Sequence, residues 1–266
     1  MTPDGAEEAL RKALEGHGAL AVAVSGGIDS LLLGTLAHRW LAEKPVICHG
    51  ASPAVPAAAT ERVRHLAAAE GWRLEILPAV EFGDPRYLAN PCNRCYFCKS
   101  DLFAAMRRLT ERVPATGANL DDLKENRPGM AAAREYGAVH PFVEAGIDKA
   151  MIRALARKNG LGKLADLPAE SCLSTRIETG IPIVSADLAF AERTESALRL
   201  LLSGRETLRC RITGEGVVIE CTPLPEGQNR EEVDLVASEL CRKAGRTFAG
   251  MRAYRRGSAS IGGDGA

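Results

Sequence analysis

Nowhere does the chain carry a run of about 18 apolar residues, the length a helix needs to cross a bilayer, and no charged-then-apolar leader opens it. No membrane partner is expected, and the expected compartment is the cytoplasm. An excess of either charge is missing as well. With 34 basic and 34 acidic residues the net charge is zero, so no overall field draws in nucleic acid and none is expected as a partner. Internal repeats are absent. Eight cysteines without an export leader argue against a disulfide framework and for metal or thiol chemistry where they cluster. What is there is a chain of 266 residues, 46% hydrophobic, enough for one sizeable core and a small second domain.

The stretch from Ala19 to Gly34 organises the rest. A continuous apolar run, Ala19 to Val24, breaks at Ser25-Gly26-Gly27 and resumes as Leu31, Leu32, Leu33 and Leu36, the pattern of a buried strand turning directly into a helix. Two glycines permit positive φ and close approach of a ligand to the backbone, while Ser25 and Ser30 add hydroxyls beside the N–H groups of a first helical turn. Those are the parts of an anion site; a Gly-rich turn without a ligand is the plainer alternative. Asp29 weighs for the anion, because a carboxylate beside phosphates makes sense when Mg²⁺ sits between them. The Lys of a Walker A loop is missing. Ser-Gly-Gly-x-Asp-Ser instead resembles the pyrophosphate loop of the ATP pyrophosphatases, which implies ATP, adenylation of a substrate and release of pyrophosphate.

Helical patterns over residues 6–15, 57–70, 99–112, 130–136 and 149–159 alternate with strand candidates over 45–49, 72–77, 115–117 and 139–142. That alternation predicts an α/β domain over residues 1–166 built on a doubly wound parallel sheet, with ligands at the carboxyl ends of the strands. Ser25, Ser52 and the run Gly117-Ala118-Asn119-Leu120-Asp121-Asp122 fall at such ends; the last doubles as an ordinary turn and helix start. After a linker over 167–182 come a helix over 187–202, strands over 208–212 and 217–220, a helix over 231–244 and a strand near 248–254. These predict a smaller α+β domain over 167–258, followed by a Gly- and Ser-rich flexible tail over 259–266.

Cys92, Cys95 and Cys98 form a C-x2-C-x2-C run just before the predicted helix, with Cys98 placed where that helix begins. Iron–sulfur ligation, structural zinc and a reactive thiol all fit such spacing. Cys172, in Glu170-Ser171-Cys172-Leu173-Ser174-Thr175-Arg176, lies between the domains; it reads as a buried linker thiol, a nucleophile or a further cluster ligand. Cys48, Cys210, Cys221 and Cys241 read as core, and the histidines lack metal-ligand spacing. Arg209 and Arg211 share one face of a strand, and Arg252, Arg255 and Arg256 lie near the last one. Each alone reads as solvated surface; together they suit a substrate phosphate.

In one order, the loop, Arg94-Cys95-Tyr96-Phe97-Cys98-Lys99, Gly117-Ala118-Asn119-Leu120-Asp121-Asp122 with Arg127-Pro128-Gly129, Asp148-Lys149-x-Met151-Ile152-Arg153 and Cys172-Leu173-Ser174-Thr175-Arg176 resemble the LarE family over residues 6–258. These are ATP-dependent sulfur transferases of nickel-pincer nucleotide synthesis. The resemblance implies an adenine-nucleotide hydrolase-like fold and a small-molecule substrate, a pyridinium biscarboxylate mononucleotide whose carboxylate is adenylated and then sulfurated. It implies ATP and Mg²⁺ at Ser25, Gly26, Gly27, Asp29, Ser30, Ser52, Gly117, Asn119 and Asp121. It implies a sulfur donor that is either a sacrificed Cys172 or a [4Fe-4S] cluster on Cys95, Cys98 and Cys172, the cluster version being favoured by the presence of all three. Arg176, Arg209 and Arg211 are implied for the substrate phosphate, Glu192 and Glu195 for the substrate domain, and a homo-oligomer for the assembly. Cys92 departs from the family pattern, as do Ala118 and Thr179. A tRNA thiolase of the same superfamily and a metal-stabilised ATP-binding scaffold without catalysis are the competing possibilities.

Overall fold

A computed structural model describes residues 1–124, 128–168, 170–202 and 207–255. The elements run α1 (Pro3–Glu15), β1 (Leu20–Ala23), α2 (Ile28–Trp40), β2 (Val46–Gly50), α3 (Ala57–Glu70), β3 (Arg73–Leu77), α4 (Pro85–Leu88), α5 (Arg94–Leu109), β4 (Val113–Thr116), α6 (Pro128–Glu135), α7 (Pro141–Glu144), α8 (Lys149–Lys158), α9 (Gly162–Ala165), α10 (Ser185–Arg199), β5 (Thr207–Thr213), β6 (Gly216–Thr222), α11 (Gly227–Lys243) and β7 (Phe248–Ala253). Among the described residues no helix is long and apolar enough to cross a membrane. The chain divides into two compact units, Met1–Asp84 with Asn93–Glu170, and Pro85–Cys92 with the chain from Ser171 onward.

The first unit is an α/β layer structure around four parallel strands in the order β3-β2-β1-β4. β1 is the hub, and its Leu-Ala-Val-Ala sequence explains why. Leu20 and Val22 point into one core with Leu10 and Leu14 of α1, Leu32 and Leu36 of α2, and Ile152 and Leu155 of α8. Ala21 and Ala23, on the alternate face, join Val46 and Cys48 of β2 with Phe103 and Met106 of α5. A strand buried on both faces needs apolar residues at every position, and helices cover both faces of this sheet. α2 is apolar around its circumference because it lies inside the first core; its buried Thr35 is satisfied by donating to the Leu31 carbonyl at 2.8 Å.

The second unit holds a three-stranded mixed sheet, β5 antiparallel to β6 and β6 parallel to β7, with α10 against β5 and α11, and α11 against β7.

Three expectations are corrected. Residues 139–142 do not form a strand: Val139 makes one isolated bridge to Ala115, and Pro141, whose ring suits a helix start, opens the single turn α7. α5 begins at Arg94 and ends at Leu109, so Cys98 lies one turn inside the helix and Cys95 in its first turn. Segment 85–92 belongs with the second unit, not with the first domain. Asn90, buried at φ 54°, donates to the carbonyls of Glu178 (2.9 Å) and Ile181 (2.8 Å), its own carbonyl accepts from the Gly180 N–H (3.0 Å), and the Tyr87 and Ser174 hydroxyls meet at 2.5 Å. Asn126, Arg127, Arg256 and the tail 259–266 lie outside the described residues.

Candidate active site

In the strand order β3-β2-β1-β4, β1 and β4 are parallel neighbours, so the loops leaving their carboxyl ends lie side by side, the place where such sheets bind ligands. Ser25-Gly26-Gly27 follows β1 and Gly117-Ala118-Asn119 follows β4. They touch: a Cβ on Gly117 would fall 2.7 Å from the Ser30 nitrogen and 2.9 Å from the Asp29 carbonyl carbon, so only glycine lets the β4 loop cross the start of α2. Gly26 has φ 84°, and a Cβ there would fall 2.6 Å from the Ala59 carbonyl oxygen.

Gly27 caps α2 without a side chain, so the first-turn N–H groups meet no side-chain acceptor there. The two serines shape the turn. The Ser25 N–H donates to Ser30 Oγ at 3.0 Å, the Ser30 hydroxyl donates to the Gly27 carbonyl at 3.0 Å, and the Ser25 and Ser30 hydroxyls lie 3.3 Å apart. Behind the loop, buried His49 of β2 donates from Nδ1 to the Val24 carbonyl at 2.8 Å and accepts at Nε2 from the Thr60 hydroxyl at 3.0 Å. Burial pushes its pKa down, which favours the neutral form with Nε2 as the acceptor. Arg62 of α3 donates from Nε to the Gly26 carbonyl at 3.1 Å.

Asp29, in the first turn of α2, accepts from Lys149 Nζ at 3.0 Å and lies 3.5 Å from Asn119 Nδ2 through Oδ2. Its Oδ1 is buried without a hydrogen-bond partner. A buried carboxylate oxygen left unpaired is costly unless a cation meets it, which fits the donor set of a Mg²⁺ site. Asn119 is fully buried; its Oδ1 accepts from the Asp121 N–H at 3.0 Å. Asp121 accepts from Lys124 Nζ at 2.7 Å, which holds its carboxyl below the usual range, and from the Lys149 N–H at 3.0 Å. Lys149 therefore joins both carboxylates, a role sequence reasoning missed although the residue sits in a motif it noted. Ser52 closes the turn after β2, accepting from the Ala54 N–H at 3.2 Å.

Cys95 and Cys98 are three residues apart on α5, hence on one face, exposed and half-exposed, and neither is in a disulfide. Gly129 packs α6 against that turn, its missing Cβ leaving room for the Lys99 side chain at 3.0 Å. The pair fits as two thiolate ligands to a cluster. Cys92 and Cys172 are exposed and belong to the second unit. Among the described residues no three Cys, His or carboxylate side chains converge as a ready-made metal site.

Cys172 begins a turn of 3-10 helix, Leu173–Arg176, whose framework is Arg176. That buried guanidinium donates to both Glu195 oxygens (2.8 and 3.0 Å), to Ser171 Oγ (2.9 Å) and to Thr175 Oγ1 (3.1 Å). Arg211 pairs with fully buried Glu220 at 2.8 Å and also donates to the Thr175 carbonyl. Two of the three arginines expected at a substrate phosphate are thus built into the second unit as buried ion pairs. Arg209 differs: it is half-buried over the Tyr254 ring at 5.8 Å, and among the described residues no carboxylate is hydrogen-bonded to it. Burial, then the neighbouring Arg176 charge, lowers its pKa. Glu192 is half-buried on α10, one turn before Glu195.

No family model matches the chain. It is 34% identical over 218 residues to Uncharacterized protein slr1717 of Synechocystis sp., spanning 80% of each chain. It is 29% identical over 194 residues to Uncharacterized protein MJ0830 of Methanocaldococcus jannaschii, spanning 71% of this chain and 73% of that one.

Proposed function

The chain belongs to the same family as the Synechocystis protein slr1717; from its sequence motifs and the geometry of the loop after β1 we propose that it is an adenylating sulfur transferase of the LarE kind, acting on a carboxylate of a pyridinium mononucleotide. One observation carries the proposal: a glycine-capped helix start with open N–H groups stands beside a carboxylate whose Oδ1 is buried and unpaired. That combination suits the phosphates of ATP and a Mg²⁺ that neutralises them.

In this reading Ser25, Gly26, Gly27 and Ser30 hold the β- and γ-phosphates, Lys149 keeps Asp29 in place, and Asp29 would hold Mg²⁺, which would neutralise phosphate charge. The substrate carboxylate attacks the α-phosphorus, the bond to the bridging oxygen breaks, and pyrophosphate leaves. The acyl adenylate then carries a good leaving group. A thiolate at Cys172 attacks its carbonyl carbon, AMP departs, and a thioester remains. Removal of the Cys172 α-proton with cleavage of its Cβ–S bond releases the thiocarboxylate and leaves dehydroalanine. A [4Fe-4S] cluster, when bound, supplies the sulfur instead; Cys95, Cys98 and Cys172 would hold it. Arg209 is the guanidinium for the substrate phosphate, while Arg176 and Arg211 shape the ground it stands on.

Anaerobic purification with iron, sulfide and zinc analysis, followed by incubation with ATP, Mg²⁺ and the pyridinium biscarboxylate mononucleotide, tests this. Pyrophosphate release that requires the mononucleotide is expected. So is either iron and sulfide lost in Cys95→Ala, or Cys172 lighter by the mass of hydrogen sulfide after turnover. Zinc with an intact Cys172 and no pyrophosphate would overturn the assignment.

A further inference from the structure

Arg94 is the first residue of α5, it is only 7% exposed, and its Nε is buried without a hydrogen-bond partner. Among the described residues no carboxylate pairs with its guanidinium. The buried arginines Arg176 and Arg211 are each matched by a glutamate, at 2.8 Å in both cases. Burying a guanidinium without a counter-ion is costly, so Arg94 calls for an anion that the chain does not supply. The helix itself points the same way. Asn93 caps α5 without a side-chain bond, which leaves the positive end of a sixteen-residue helix facing that place, and helical side chains lean back toward the amino end, which carries the Arg94 guanidinium over it.

The first unit alone fixes which edge of the sheet this is. α5 ends at Leu109 and feeds β4 at Val113, so its amino end lies toward the carboxyl ends of the parallel strands. Leu102 packs against Gly50, the last residue of β2, within 3.5 Å of where a Cβ would stand, and Arg94 is eight residues, roughly 12 Å of helix, beyond it. The loop over residues 25–30 leaves β1 at that same edge. We propose that Arg94 at the start of α5 is a carboxylate subsite, and that it takes the carboxylate of the acceptor that is not adenylated. For its ligand this rests on the proposed function: of two carboxylates on a pyridinium ring, one becomes the acyl adenylate and the other keeps its charge. The planar fork of a guanidinium meets such a group with two parallel hydrogen bonds. Cys98, four residues on, shares that helix face, which places a thiol one turn from the subsite.

The test titrates the full chain, wild type and with Arg94→Met or Arg94→Lys, with dinicotinate as the probe, inorganic phosphate as the rival anion, and ATP with Mg²⁺ as a separate ligand. Arg94→Met is expected to weaken dinicotinate by about tenfold to a hundredfold, the loss of a hydrogen bond to a charged group, and Arg94→Lys by less, because an ammonium keeps the charge without the fork. ATP affinity is expected to stay unchanged in both. Dinicotinate should raise the melting temperature of the wild type and leave that of Arg94→Met where it is, while Arg94→Met without ligand should melt no lower than the wild type, since it removes an uncompensated charge. A steep fall in its melting temperature would make Arg94 a structural residue and overturn the subsite. So would phosphate binding at Arg94 as tightly as dinicotinate, which would leave a general anion site. If ATP binds but dinicotinate is indifferent to both substitutions, the subsite is wrong and the nucleotide site stands. If dinicotinate needs Arg94 while ATP does not bind, the subsite stands and the nucleotide reading falls.

Discussion

With its φ at 84° and the Ala59 carbonyl oxygen 2.6 Å from where a Cβ would sit, position 26 admits no side chain. A β-carbon held in the left-handed region costs roughly 1–3 kcal/mol, and the collision with backbone adds to it. Gly26→Ala should therefore melt several degrees below wild type, at roughly 2–4 °C per kcal/mol for a domain of this size, and lose ATP binding with it. An unchanged melting temperature would mean that the loop has room to shift. The thiols divide just as sharply. Burial raises the Cys48 pKa to about 12 and pushes Cys210 and Cys241 up as well, whereas Cys92, Cys95 and Cys172 are exposed and Cys98 partly so. Native protein treated with iodoacetamide should carry label at Cys92, Cys95 and Cys172 first and at Cys98 more slowly. Cys48, Cys210, Cys221 and Cys241 should wait for denaturant, as a peptide map would show.

At the scale of elements, His49 joins β2 to the end of β1 and to α3, and His140 receives Thr116 at the end of β4 at 2.7 Å. Burial holds both imidazoles below the usual value of 6.5. As pH falls through about 6.5 the unfolded chain takes up protons that the folded chain refuses, so stability complete above that pH is lost as pH drops towards the folded-state values. Urea midpoints at about pH 7.5 and pH 5.5 should show the fall, and His49→Gln should lessen it. An equal fall in the variant would assign the effect to other groups. At this scale much was legible beforehand. The strand and helix over 19–36 follow from an apolar run broken by glycines, and the α3 and α11 patterns from helical periodicity. Segment 85–92 was not legible, because its partners Glu178 and Ile181 are distant in sequence and Asn90 carries no local mark of burial.

For the molecule as a whole, the chain divides into two compact units, and the second is organised around charge as much as apolar contact. Glu195, buried on α10, receives Arg176, Arg199 and the Cys210 N–H. Removing its charge leaves the Arg176 guanidinium buried and uncompensated, at a cost of about 3–5 kcal/mol. Glu195→Gln should accordingly speed amide exchange through β5 and β6 while β1 and β2 keep their protection. Exchange that accelerates equally in both sheets would show that the chain opens as one cooperative body.

By itself the amino-acid sequence determined the parallel α/β layer, the loop after β1 and the four core thiols, because apolar period, glycine spacing and turn chemistry are local properties. Only the tertiary structure decided which charges are spent inside the protein. Arg176, Arg209 and Arg211 look alike in the chain, yet among the described residues two are neutralised by Glu195 and Glu220 and one is not, and Lys149 enters the loop from an element far along the chain. Pairing of that kind depends on which side chains meet in space, and no local pattern encodes a partner such as Asp29, 120 residues from Lys149.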